Sequence, residues 1–201
     1  MKKSKKPGYH HGNLEQALID EALKLVEQDG EMAVSLRDLA QSLGVSRAAP
    51  YRHFASRNDL LAAVAARGFE DLVALYDTAL AGPGNAQERL SAASRAFFDF
   101  AMRRPGLYRL MFESDLLNRT PPPAVTLPAA NASYYQLLRA VADANPQMSE
   151  AQAKVRTIIM MSTGHGFLAL DRAGRFKPFM YEPLSHEDMV EEVMRSLIGV
   201  D

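Results

Sequence analysis

Apolar residues recur three and four positions apart along most of the chain, the period of an amphipathic helix, and the spacing predicts an all-α protein. The first such stretch covers residues 13–29, with Leu14, Ala17, Leu18, Ala22, Leu25 and Val26 on its inner face. Asn13 is placed to cap it and Gly30 to end it. Leu36, Leu39, Ala40 and Leu43 then mark a short helix that Ser35 and Asp38 start as a capping box and Gly44 stops. Val45 closes the turn, and Ser46 is placed to cap a second helix beginning at Arg47. Two short helices joined so tightly make a helix-turn-helix. A longer helix after Ser56 can run to Leu80, burying Leu61, Val64, Ala65, Phe69, Leu72, Val73 and Tyr76.

Gly82-Pro83-Gly84 is the clearest break. Asn85 caps the next helix, to about Arg104, which carries Leu90, Phe97, Phe98 and Phe100. Pro105 and Gly106 stop it and permit a short helix through Leu107, Tyr108, Met111 and Phe112. Residues 118–123 end in three prolines and are expected to form an exposed loop. Further helices are expected up to Ala144, from Ser149 onward, and over residues 185–198. Within the second of these, residues 157–170 (TIIMMSTGHGFLAL) carry no charge. The run is too short to span a bilayer, so no membrane partner is expected. A helix apolar on all sides needs cover on several, one from its own domain and another from a further partner.

The second helix of the pair carries the chemistry. Ser46, Arg47, Tyr51, Arg52 and His53 donate hydrogen bonds of the kind that phosphates and base edges accept, and no acid lies between residues 46 and 57. The flanking helices carry Asp38 and Asp59 at their third positions, where an acid offsets the helix dipole. This helix has Ala49 instead. Pro50, at the fourth position, is expected to forfeit only the earliest intrahelical bond, and Phe54 to anchor the pair to a core.

With the run Ser56-Arg57-Asn58-Asp59-Leu60-Leu61 behind it, this stretch resembles the N-terminal DNA-binding domain of TetR-family transcriptional regulators over about residues 9–70; the YRHF-x-S-R-x-x-LL pattern is its specific part. The resemblance implies that Arg37, Ser46, Arg47 and Ala48 approach base edges of double-stranded DNA and that Tyr51, His53 and Arg57 hold phosphates. Arg52 belongs to the same surface. Glu15 stands where the resemblance implies a basic residue.

Composition narrows the rest. A chain of 201 residues with 47% hydrophobic content makes one or two domains with a real core. No cysteine is present, which excludes disulfides and thiolate chemistry. The start MKKSKK leads into Pro7-Gly8 and histidines, not an apolar stretch, so no signal peptide and a cytoplasmic location are expected. The net charge of -1 hides an asymmetry, since the excess of lysine and arginine lies toward the N-terminus. Residues 1–12 hold four lysines and no acid and read as a flexible basic arm, either a phosphate or minor-groove contact or a solubilising tail. His10 and His11 lack further ligands nearby, so no metal is expected. There is no phosphate-cradling glycine loop, no GxSxG and no HExxH, and neither an enzyme nor a cofactor is expected.

The expected organisation is a basic arm (1–12), a helix-turn-helix domain (13–60) and an effector-binding and dimerisation domain (61–201). Effector candidates are Phe97, Met102, Tyr108, Met111, Phe112, Tyr134, Tyr135, Met161 and His165, chosen because methionine and aromatic walls suit an apolar or amphipathic ligand; the same residues also serve as plain core. His165, flanked by Gly164 and Gly166, is either a ligand contact or a core histidine; His-Gly followed by Phe167, Leu168 and Leu170 resembles the WHG subgroup of the family. The small-residue stripe Ser162, Gly166, Ala169 and Ala173, with Val190, Val193, Met194 and Leu197 of the last helix, is the expected homodimer interface, two helices per subunit in a four-helix bundle. The expected function is a sequence-specific regulator, a repressor released from a palindromic operator by a small-molecule effector. An activator with the same head, or a helical carrier that no longer binds DNA, are the alternatives.

Overall fold

Local capping sets most helix boundaries. In the computed structural model, which describes residues 13–116 and 123–198, the Asn13 side chain accepts from the Gln16 N–H at 3.2 Å and starts α1 (Leu14–Asp29). A 3-10 turn over Glu31–Ala33 leads to α2 (Leu36–Ser42), where Ser35 Oγ accepts from the Asp38 N–H at 3.5 Å. At its end the Val45 N–H bonds the Ala40 carbonyl at 2.9 Å and the Gly44 N–H bonds the Gln41 carbonyl at 3.2 Å, a Schellman arrangement. Gly44 has φ +69°, a left-handed backbone that explains the glycine.

The segment after this turn departs from the α-helix expected from Arg47 onward. Ala49 N–H bonds the Ser46 carbonyl at 2.9 Å, Arg52 N–H the Ala49 carbonyl at 3.2 Å and His53 N–H the Pro50 carbonyl at 3.0 Å, with a 3-10 turn over Pro50–Arg52. Proline is the reason. It has no N–H to give the Ser46 carbonyl, which bonds Ala49 three residues on and tightens the turn. Pro50 thus costs more than the single early bond.

α3 (Arg57–Leu80) follows, its Asp59 N–H bonded to Ser56 Oγ at 3.2 Å. Then come α4 (Ala86–Arg103), α5 (Pro105–Phe112), α6 (Leu127–Ala144), α7 (Glu150–Arg172), a 3-10 turn over Pro178–Met180 and α8 (His186–Ile198). No strand occurs among the described residues. The basic arm lies outside them, as does most of the triple-proline loop.

Two compact units result, one from residues up to 68 together with 104–128, the other from 69–103 and from 129 onward. In the first, Leu18, Ala22 and Val26 of α1 and Leu39 and Ala40 of α2 form the core with Leu60, Leu61 and Val64 of α3. α5 lies against α1 so closely that a Cβ on Gly106 would sit 2.2 Å from the Val26 carbonyl oxygen. Glu27 closes that contact: one carboxylate oxygen accepts from the Gly106 N–H at 3.1 Å, the other from Arg104 Nε at 3.2 Å. A carboxylate at the first turn of α5 also complements its dipole. Thr126, fully buried, donates to the Ala62 carbonyl at 3.0 Å.

In the second unit α4 and α7 pack against α8, and Leu90, Ala140, Val141, Met160 and Ile198 form one apolar cluster. Side chains also satisfy the last carbonyls of α8. Gln87 Nε2 donates to Ile198 and Arg156 Nη2 to Leu197, both at 2.8 Å.

Candidate nucleic-acid interface

Burial sorts the helix-turn-helix residues cleanly. Pro50 and Phe54 point into the first unit and are buried, whereas Ser46, Arg47, Ala48, Tyr51, Arg52 and His53 are exposed, as is Arg37 on α2. Tyr51 keeps 55% of its surface open although it is a large ring, a position that the core does not demand. The outward surface therefore gathers three guanidinium groups, two hydroxyls and an imidazole on a turn fixed from beneath by two apolar anchors. Such a surface suits phosphates and base edges.

Two residues have partners within the unit. Arg57, half-buried, turns back: its Nε donates to the Val34 carbonyl at 3.0 Å and its Nη2 to the Glu31 carbonyl, with Met32 Sδ alongside. It clamps the 3-10 connection between α1 and α2, a role that sequence spacing does not reveal. His53 Nδ1 lies 3.5 Å from Glu15 Oε2, so the unexpected acid of α1 stands at the edge of the basic surface.

Two family models cover this chain. Residues 18–64 match the model described as bacterial regulatory proteins, tetR family, and residues 90–197 match the tetracyclin repressor-like C-terminal domain. The chain belongs to the TetR family. It is 38% identical over 86 residues to the HTH-type transcriptional activator FasR of Mycolicibacterium smegmatis, covering 43% of this chain and 39% of FasR. It is 34% identical over 109 residues to the nucleoid occlusion factor SlmA of Salmonella dublin, covering 51% of this chain and 55% of SlmA. These matches span about half or less of the relatives. A solved structure of a protein of unknown function from Rhodococcus sp. RHA1 has a TM-score of 0.78 and 30% identity, covering 96% of this chain and 95% of that one.

The nine effector candidates of this TetR-family chain fall in both units. Tyr108 and Met111 are buried core of the first, with Tyr108 and Phe112 ring centroids 5.1 Å apart. In the second, Phe97 meets His165 edge-on at 5.2 Å and Tyr134 meets Tyr135 at 5.4 Å, while Met161 is half-buried and Met102 and Tyr135 are largely open to solvent. Burial lowers the His165 pKa from its ordinary 6.5 to about 4, with the positive charge of Arg172 adding to the effect, so the imidazole is neutral at physiological pH. Gly164 lies against Phe97 and Phe98, where an added Cβ would meet them at ordinary contact distance, 3.7–3.8 Å.

α7 has two faces. Ala153, Thr157, Met160, Gly164, Phe167 and Leu168 point inward and are buried. Opposite them, Val155, Ile158, Ile159, Ser162, Gly166, Ala169, Leu170 and Ala173 are exposed and fall within a sector of about 120° that holds no charge. On α8, Val190 and Met194 are buried within the unit and Val193 and Leu197 are half-buried. Among the described residues, no helix is long and apolar enough to cross a membrane, and no group of three or more His, Asp or Glu is placed to hold a metal.

Proposed function

We propose that the protein is a homodimeric repressor that leaves a palindromic operator when a small apolar or amphipathic effector binds its C-terminal domain. The observation that carries DNA reading is the exposed, acid-free turn at residues 46–52 on its buried Pro50 and Phe54 anchors. Arg37, Ser46, Arg47 and Ala48 read base edges, and Tyr51, Arg52 and His53 hold phosphates. The uncharged outer face of α7 supports a homodimer, because an apolar stripe of that length is normally covered in solution. A two-fold dimer brings its heads to half-sites about 34–36 Å apart. The Phe97–His165 pair, with a neutral imidazole, supports an effector of low charge. Release is a population shift: the effector prefers a dimer whose heads no longer match the groove spacing. A regulator that reads chromosomal DNA works in the cytoplasm.

Selection of sites from random duplex DNA at two salt concentrations tests this reading. Enrichment of an inverted repeat, with affinity falling steeply as salt rises, supports it; the absence of any enriched sequence refutes it. Equal effector affinity for free and DNA-bound protein rules out the population shift. A second reading, activation, is favoured by the similarity to FasR, which is named an activator. Deleting the gene decides between them, since transcription from the selected site rises if the protein represses and falls if it activates.

A further inference from the structure

The connection between α7 and α8 carries apolar side chains that its own unit leaves uncovered. Phe179 is 79% exposed, Met180 56% and Leu184 43%. The connection is nevertheless braced at several points. Phe176 stacks on Phe167 with centroids 5.0 Å apart, His186 Nε2 lies 2.6 Å from Asp171 Oδ1, and the Met180 N–H bonds the Lys177 carbonyl at 2.8 Å. A braced turn that holds a phenylalanine outward has the form of a knob for a surface beyond its own chain.

A hole of matching character lies at the other end of α7. Met148, Ala151, Gln152, Val155, Arg156 and Ile159 line an open groove of about 400 Å³. The knob does not reach the groove of its own chain. Ala151 and Arg172, near the two ends of α7, are about 32 Å apart along the axis, and the knob follows the far end.

A second copy can fill it. The outward face of α7 is bulky in its N-terminal half, at Val155, Ile158 and Ile159, and mostly small in its C-terminal half, at Ser162, Gly166, Ala169 and Ala173. Antiparallel pairing of two copies about Ser162 sets bulky against small: Ile158 faces the partner's Gly166, where a Cβ would meet nothing of its own chain within 4 Å, and Val155 faces the partner's Ala169. The same pairing carries the turn that follows Ala173 onto the partner's groove end. It also brings the exposed Arg175 and Lys177 toward the exposed Glu150 at the start of the opposite α7. We infer that Phe179 and Met180 of each subunit dock at the Met148, Ala151 and Gln152 end of this groove on a second copy of this chain, a reciprocal clamp at both ends of the α7 pair. The inference rests on the homodimer reading above and adds which segments close it.

The test uses the full chain, which has no native cysteine. Ala151→Cys and Met180→Cys are introduced together and separately, and each protein is oxidised and run without reductant beside sedimentation velocity. A disulfide needs Cα atoms within about 7 Å, so the double variant can close only between subunits. The expected result is a dimer that becomes covalent in the double variant and in neither single variant. A dimer that does not become covalent overturns the clamp while the homodimer stands; a monomer at every concentration overturns the homodimer itself. Phe179→Asp, on a side chain its own unit leaves open, is expected to keep the circular dichroism spectrum and raise the dimer dissociation constant roughly a hundredfold, about tenfold for each of two phenylalanines. An unchanged constant overturns the clamp.

Discussion

Replacing Arg57 with alanine tests what holds the helix-turn-helix in register. The guanidinium donates to the Val34 carbonyl at 3.0 Å and to the Glu31 carbonyl, so the variant removes two charge-assisted hydrogen bonds from a half-buried site. Each such bond contributes about 1.5–3 kcal/mol. The lower end applies at partial exposure, which makes the loss about 3 kcal/mol. For a chain of this size that lowers the melting temperature by about 6–12 °C. Affinity measured by fluorescence anisotropy on an operator duplex should fall for every sequence, because the α1–α2 connection loosens, while the slope of log affinity against log salt stays the same. The slope counts phosphate contacts, and a guanidinium turned toward the 31–34 backbone makes none. Arg57→Lys should recover only part of the stability, since an ammonium lacks the planar fork that reaches both carbonyls. An unchanged melting temperature with a slope shallower by about 0.9 would refute this account and assign Arg57 to a phosphate.

Gly106→Ala forces a Cβ to within 2.2 Å of the Val26 carbonyl oxygen and 2.8 Å of Glu27 Cα, both backbone atoms that cannot rotate away. Chemical denaturation should register a loss of about 3 kcal/mol, and a loss under about 1 kcal/mol would mean that α5 does not seat this closely on α1. Glu15→Gln removes the carboxylate 3.5 Å from His53 and should tighten DNA binding roughly threefold at low salt, with the gain shrinking as salt rises; equal affinity at low salt would count against a DNA surface reaching α1. His165 titrates near 6.5 when unfolded and about 4 when folded, so between those values the unfolded chain binds the extra proton. Stability should therefore fall as pH drops through that window, by up to about 1.4 kcal/mol per pH unit, and be unaffected by this group above it. His165→Leu should flatten that part of the urea-denaturation pH profile, and a profile identical to the unmodified protein would contradict the buried neutral imidazole.

The helix starts at Asn13, Ser35, Asn85 and Ser149 were legible because each cap is a bond to an amide three residues ahead, set by neighbours in sequence alone. The basic turn was legible for a related reason: exposure of Arg47, Tyr51 and Arg52 follows from polarity, and the acid-free spacing is a property of the string. Pro50 was visible too, but how far it tightens the turn depends on where the freed carbonyl finds a donor, and Ala49 supplies one within the turn itself.

Other features had no local signature. Arg57 reads as one more cation beside DNA until residues 31–34 are brought next to it, because a carbonyl acceptor belongs to every residue and so marks none. Gly106 reads as a helix starter; its closeness to Val26 joins segments far apart in sequence. The run at residues 157–170 is the limiting case. Without charge it has no polar side, so only the small residues Ser162, Gly166 and Ala169 marked an outward face, and packing against the rest of the second unit decided that Thr157, Met160, Gly164, Phe167 and Leu168 turn inward. Sequence by itself determined the helices and caps other than the one expected from Arg47, and the polar character of the head, because those depend on residue type and short-range spacing. Tertiary structure alone decided which backbone each side chain meets, because that depends on the distance between segments that the chain brings together only when folded.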